Sequence, residues 1–287
     1  MELDKAARTH RAVQRVAQTH SNALEGRSMD LKDRVALVTG ASRGVGRAIA
    51  VALGRAGADV ACVARATDVA PLRLPGTIDA AVREIDALGR RGLAVPTNLA
   101  IDTDIDRMVR VTHEYFGRID ILVNNAAVTF PGDLAVSMKR YDLMMHVNVR
   151  APLLAMRAVV PHMRAQGGGT ILNISSAAGL HVFPGLMVYG MSKAALERLS
   201  VDAAEQLKPH RIAVNTFRID VPVASEGFVA NLPEVDHSTW EPTEVPAEGV
   251  LWMLRQPPEY TGRLVSMAAL RKEQDIMRSR SARPFAG

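Results

Sequence analysis

Arg34-Val-Ala-Leu-Val-Thr-Gly-Ala-Ser-Arg-Gly-Val-Gly-Arg-Ala-Ile-Ala-Val-Ala-Leu53 is the stretch that decides the fold. It reads as a buried strand (Val35 to Val38), a glycine-rich turn (Gly40 to Gly46) and an amphipathic helix from about Val45. Gly40 permits the sharp exit from the strand, and Gly44 lets an anion approach the backbone with no Cβ in the way. Gly46 lets the helix lie close to the sheet. Unpaired N–H groups and the positive end of the helix dipole then face the turn. With Ser42, Arg43 and Val45 between the glycines, this is a cradle for nucleotide phosphates. A second strand, Asp59 to Ala64, follows after Gly57 and supplies the context that a lone glycine turn lacks.

Outward from this unit, strands and helices alternate. Strands are predicted at Leu93–Pro96, Ile119–Asn124, Thr170–Ile174, Ile212–Phe217 and Arg263–Met267. Helices are predicted at Ile78–Gly89, Asp102–Phe116, Lys139–Arg164, Val188–Leu207 and Ala247–Leu254, with an irregular proline-bearing stretch over 222–248. Continuously apolar strands between helices predict an α/β fold: one doubly wound, Rossmann-type parallel sheet of about seven strands, covered on both faces. Residues 1–28 read as a polar extension, 29–270 as the dinucleotide-binding domain and 271–287 as a solvated basic tail. Met29-Asp30-Leu31 sits at a natural domain beginning, so Met29 is expected to be the original start.

The 287 residues are 48% hydrophobic and 23% charged, with net charge +5, much of it at the two ends. Solvated tails account for that excess, and no nucleic-acid partner is expected. No run of about 18 apolar residues appears, and residues 1–28 lack the apolar core of a secretory signal. A cytoplasmic protein with no membrane span is expected. The single Cys62 lies in an apolar strand and reads as a core residue. The histidines show no metal-ligand spacing, and no metal is expected.

Ligands in such sheets bind beyond the carboxyl ends of the strands. Asn124-Asn125-Ala126 ends the fourth strand, Ser175-Ser176 ends the fifth, and Tyr189-Gly-Met-Ser-Lys193 opens the next helix. Tyr189 and Lys193, at i and i+4, share a helix face. An ammonium beside a phenol favours the phenolate and is expected to lower the tyrosine pKa towards acid/base use.

Taken together, Thr39-Gly40-x-x-x-Gly44-x-Gly46, Asn124-Asn125-Ala126, Asn148, Ser176 and Tyr189-x-x-x-Lys193 resemble the short-chain dehydrogenases/reductases over about Leu31 to Met267. The thirteen-residue spacing from Ser176 to Tyr189 is that family's spacing. The resemblance implies that Tyr189 protonates a carbonyl oxygen and Ser176 holds that oxygen by a hydrogen bond. Lys193 lowers the Tyr189 pKa and binds the nicotinamide ribose, and Asn148 holds a water that links Lys193 to solvent. It implies that Asn98 and Leu99 lie beside the adenine and that 222–248 forms the substrate lid. It also implies assembly as a homodimer or homotetramer through the two long helices.

Cofactor choice follows from charge. The second strand ends Val63-Ala64-Arg65 with no carboxylate, and Arg43 lies in the glycine turn. Two guanidiniums suit a 2′-phosphate, so NADP(H) is favoured over NAD(H). The lid holds six acids and no Lys or Arg, with Phe228, Leu232 and Trp240, which predicts a neutral, fairly apolar carbonyl or secondary alcohol as substrate. The other readings are an NAD-dependent alcohol dehydrogenase and a catalytically silent dinucleotide-binding regulator. Arg218-Ile219-Asp220 stands where the family has Pro-Gly, and Ala268-Ala269 where it often has a glycine pair. The geometry of that edge is left open by the sequence.

Overall fold

A computed structural model describes residues 29–282. The extension 1–28, with the expected start at Met29 as its boundary, and residues 283–287 lie outside the described residues. Seven described strands form one parallel sheet in the order β3-β2-β1-β4-β5-β6-β7. They are β1 (Val35–Thr39), β2 (Asp59–Ala64), β3 (Gly92–Pro96), β4 (Ile121–Asn124), β5 (Gly169–Ser176), β6 (Ile212–Ile219) and β7 (Leu264–Ser266). The strand order reverses between β1 and β4, whose register pairs Leu37 with Leu122. That reversal opens a crevice at the carboxyl ends of both strands.

Alternation along each strand feeds two separate cores. Ala36, Val38, Val60 and Cys62 face one side, where they meet Ile49 and Leu53 of helix α1 (Gly44–Arg55), Ile78 and Ile85 of α2 (Ile78–Ala87), and Val250 of α8 (Glu244–Leu254). Val35, Leu37, Ala61 and Val63 face the other side. There they meet Ile105 and Met108 of α3 (Asp102–Phe116), Val159 of α5 (Ala151–Ala165) and Leu207 of α6 (Met187–Leu207). Cys62 is fully buried, and burial pushes its thiol up to about 12. It is a small core residue.

Three expected elements come out differently. The helix expected over Lys139–Arg164 is continuous but broken in character: α4 (Met138–Met145), a π turn (His146–Arg150) and then α5. The cause is Asn148, whose side chain bonds both the N–H and the C=O of Val128 at 2.9 Å and cannot lie over a regular turn. By length and composition, Met138–Ala165 is apolar enough to cross a membrane. Its apolar side lies against the sheet, with Met144, Ala151, Ala155, Val159 and Met163 buried.

The 222–248 stretch is more regular than expected. It holds α7 (Glu226–Asn231), and α8 begins at Glu244, with Pro246 in its first turn where proline is tolerated.

The solvated-tail reading of 271–287 is corrected for the described residues. Helix α9 (Met267–Gln274) starts from Ser266, whose hydroxyl accepts the Ala269 N–H. Leu270 and Met277 are buried. Arg271 pairs at 2.9 Å with Glu241, which is only 1% exposed, and Arg280 pairs with Glu248. Burial alone would raise the Glu241 carboxyl, but the Arg280 N–H, Ser279 and Arg271 together hold it below the usual carboxylate range. Two of the six acids of 222–248 are thus paired with arginines of the expected tail, Arg271 half-buried and Arg280 exposed.

Candidate active site

The glycine turn forms the floor of the crevice. Gly40 and Gly44 hold φ of 72° and 56°, the left-handed region that favours glycine. A Cβ on Gly40 would sit 2.8 Å from Asn125 Nδ2, and one on Gly46 would collide with the Gly40 carbonyl and the same amide. Asn125 is a brace: its Nδ2 donates to Thr39 O at 2.9 Å, and its N–H donates to Thr39 Oγ1 at 3.0 Å. This ties the end of β4 to the end of β1 beneath the turn. Helix α1 then starts from Arg43 with no side-chain cap, which leaves its first N–H groups to an incoming anion.

Arg43 is partly buried and donates to Gly76 O at 3.3 Å, but its Nε has no partner. Burial lowers its pKa, Glu226 opposes that, and nearby Arg65 lowers it further. Among the described residues neither Arg43 nor Arg65 has a carboxylate partner in an ion pair. Two neighbouring guanidiniums with no direct ion pair, next to an uncapped helix end, fit the phosphates of a dinucleotide.

The start of the 222–248 stretch lies over this turn. A Cβ on Gly44 would stand 3.2 Å from Ser225 Cβ and 3.4 Å from Glu226 Oε2, an oxygen that is buried without a partner. Of the two residues expected beside the adenine, Leu99 is packed into the core. The Asn98 side-chain oxygen accepts the Ala100 N–H at 3.1 Å.

Above the floor, β5 runs two residues further than expected, to Ser176, and delivers both serines to α6. The Ser176 hydroxyl stands beside the Tyr189 phenol and favours its charged form, while Ser176 Oγ accepts the Ala178 N–H at 3.3 Å. Gly190 makes this approach feasible, because a Cβ there would lie 2.5 Å from Ala178 O. Lys193, 3% exposed, donates to Ile174 O at 2.8 Å and lies 5.6 Å from the Tyr189 ring centroid. Both Asn148 N–H groups are taken, one by Val128 O at 2.9 Å and one by Ser192 Oγ at 3.0 Å. Ser192 Oγ in turn donates to Tyr189 O at 2.7 Å.

The expected lowering of the Tyr189 pKa does not appear. Burial pushes the phenol up to about 12, with the Ser176 hydroxyl pulling the other way. Burial also brings the Lys193 ammonium down to about 8, against the pull of Glu197. Near neutral pH this keeps a protonated phenol beside a charged ammonium.

Three residues, Gly190, Ser192 and Glu197, are given no role by the sequence, and Arg218 is seen there only as a departure from the family pattern. Ser192 and Gly190 lie inside the Tyr–Lys motif as spacers, and Glu197 and Arg218 make their pair across the β6–α6 interface. Among the described residues no cluster of three or more His, Cys, Asp or Glu side chains could hold a metal ion.

A glycine turn at the strand reversal of a seven-stranded parallel sheet defines a doubly wound, Rossmann-type domain. The family profile described as short chain dehydrogenase matches residues 34–221. The chain belongs to the short-chain dehydrogenase/reductase family. It is 32% identical over 253 residues to hydroxysteroid dehydrogenase-like protein 2 of Danio rerio, covering 86% of this chain and 59% of that one. To 2-(R)-hydroxypropyl-CoM dehydrogenase of Xanthobacter autotrophicus it is 35% identical over 224 residues, 72% of this chain and 86% of that one. The chain therefore spans about three fifths of the first of these relatives.

Among solved structures, a short chain dehydrogenase from Mycobacterium paratuberculosis bound to NAD has TM-score 0.72 at 28% identity, covering 83% of this chain and 97% of that one. A putative NAD(P)-dependent gluconate 5-dehydrogenase from Beutenbergia cavernae with bound NADP has TM-score 0.74 at 25% identity, covering 83% of this chain and 96% of that one.

Proposed function

We propose that the protein is an NADP(H)-dependent oxidoreductase acting on a neutral, fairly apolar carbonyl or secondary alcohol. The observation that carries this reading is the Ser176–Tyr189–Lys193 cluster, with Lys193 buried and Ser176 and Tyr189 half-buried, facing the crevice above an uncapped glycine cradle. The nicotinamide, when bound, supplies or accepts the hydride. Tyr189 donates its phenolic proton to the substrate oxygen, and Ser176 holds that oxygen in place. Lys193 stabilises the phenolate left behind by its charge. The Asn148 amide is occupied by Val128 and Ser192, so a water that resupplies the proton would rest on main-chain carbonyls of the π turn.

Arg43 and Arg65 support NADP(H): a 2′-phosphate gives Arg43 the acceptor its Nε lacks. Phe228 and Trp240 stack at 4.9 Å between ring centroids and give the lid an apolar body, which supports an uncharged substrate. Glu241 and Glu248 pair with arginines, which reduces the acidity that 222–248 shows in sequence.

Exposed Met138, Leu153, Met191 and Val201 on the two long helices support a homodimer or homotetramer. The single cysteine fits a reducing compartment, and a cytoplasmic location belongs to the same reading.

The test is a panel of ketones and secondary alcohols, with hydroxypropyl-CoM as a charged comparator, run with both nicotinamide cofactors and followed at the absorbance of the reduced ring. Faster turnover of neutral substrates and tighter binding of NADPH than NADH are expected. Preference for the charged substrate, or for NADH, overturns the corresponding half.

A further inference from the structure

The sequence leaves Arg218 as an unexplained departure at the end of β6, and the hydride-transfer reading makes no use of Glu197. The structure joins them. Arg218 donates through Nε and Nη2 to the two carboxylate oxygens of Glu197 at 2.9 and 2.8 Å, and Ser175 Oγ donates to Glu197 Oε1 at 2.7 Å. The pair is almost dry, with side-chain exposures of 13% and 11%. Ser175 and Arg218 are register partners on β5 and β6, so a single carboxylate on α6 gathers both strands.

Its place on the helix is the informative part. Tyr189, Lys193 and Glu197 follow one another at i, i+4 and i+8 on one face of α6. Each meets one of three consecutive β5 residues: Tyr189 stands beside Ser176, Lys193 donates to the Ile174 carbonyl, and Glu197 accepts from Ser175. The strand end that presents Ser176 is therefore clasped at every residue by the helix that presents the phenol.

We propose that Glu197, with Arg218 as its counter-charge, is a positioning residue for the reaction: it fixes the Ser175–Ser176 strand end against α6 and places a carboxylate one helix turn from Lys193. This rests on the oxidoreductase reading for its purpose, but its electrostatic half does not need turnover to be tested. Glu197 is the charged group that acts on Lys193. Tyr189 lies beside Lys193 as a neutral phenol. Arg218 on β6 reaches it through Glu197, with Asp220 acting on Arg218 in turn. On the π turn, His146 and Arg150 both turn away to Asp102. An ion pair that only held the strands together would, once broken, loosen the fold and leave the kcat of the folded enzyme in place.

The experiment titrates the Lys193 Cε resonance in the full chain carrying 13C-labelled lysine, assigned by its loss in Lys193→Met. Glu197→Gln is expected to lower the Lys193 titration by about one pH unit, and Arg218→Met to raise it by about as much. The double variant is expected to return it close to wild type, and Arg218→Lys to leave it in place while lowering kcat several-fold at unchanged cofactor KM. The alkaline limb of kcat/KM for carbonyl reduction should move in the same directions. A Lys193 titration unmoved in folded Glu197→Gln, or moved the same way by both single changes, overturns the proposal. If Arg218→Met does not fold, Glu197→Gln alone decides it. If wild type turns over no carbonyl, the oxidoreductase reading falls while the titration still judges the pair.

Discussion

The cradle at the β1–α1 turn and the clasp between β5 and α6 lie in one crevice but are built on opposite terms. In the cradle, polar groups lack partners: the α1 N-terminus has no side-chain cap, Arg43 Nε has no acceptor, and Glu226 Oε2 has no donor. In the clasp, Ser175, Ser192, Lys193, Glu197 and both Asn148 N–H groups are all bonded within the protein. Buried polar groups without partners are costly, so a site that keeps them is one whose partner arrives from outside. A site with every group satisfied holds its geometry before the substrate comes, and burial rather than ligand sets its proton affinities.

The largest effect expected from breaking this contrast is on the clasp side. Lys193→Met should reduce turnover by about 10²–10⁴-fold, the range for loss of acid–base assistance. It carries a second, independent signature. The folded-state pKa of Lys193 is near 8 and its ordinary value is 10.5, so the unfolded chain binds more protons between those values. Stability contributed at this site therefore rises with pH from about 8 to about 10.5 and is flat below. In Lys193→Met that slope should vanish from thermal melts taken across the window.

Next in size is a lesion in the cradle. Gly46→Ala places a methyl against the Gly40 carbonyl and the Asn125 amide, neither of which can yield without reopening the β1–β4 brace. Overpacking of this kind costs roughly 1–3 kcal/mol, and dinucleotide affinity should fall with it. The Ser176–Tyr189 pair, seated on other elements, should survive. Denaturant melts and cofactor titration measure the two losses separately.

Smaller again is the charge of the cradle. Arg43→Ala or Arg65→Ala should weaken NADPH by about 10–100-fold, the worth of a charged hydrogen bond, and leave NADH nearly unchanged. Equal losses for both cofactors would place the two arginines at the pyrophosphate instead. The smallest effect is expected at the lid. Glu226→Gln removes a carboxylate that stands over the phosphate approach and acts on Arg43, so both dinucleotides should bind a few-fold tighter in calorimetry.

The two regions were also unequally legible in the sequence. The cradle is local: its glycines, its strand and its helix lie within twenty residues, and each glycine has a backbone reason that spacing reveals. Tyr189, Lys193 and Ser176 were legible for the same reason, as one helix turn and the end of one strand. The supports were not. Glu197 meets Arg218 across 21 residues, and Arg271 and Arg280 meet Glu241 and Glu248 across 30 and 32, which no helical or strand period marks. Charge counting left those arginines unpaired because it sees ions, not their partners. The upward shift of Tyr189 was missed on the same account: the ammonium at i+4 is visible in the sequence, whereas the desolvation that outweighs it depends on what folds over the phenol.

The central claim is that the clasp does the proton chemistry on a ligand held by the cradle, and one rapid-mixing measurement reaches it. Tyr189→Phe loaded with NADPH is mixed with a ketone that wild type reduces, while cofactor fluorescence and reduced-ring absorbance are recorded together. The account predicts wild-type cofactor binding with decay of the reduced ring slowed by at least about 10²-fold. Decay at the wild-type rate, or loss of cofactor binding along with it, would contradict the division of labour between the two regions.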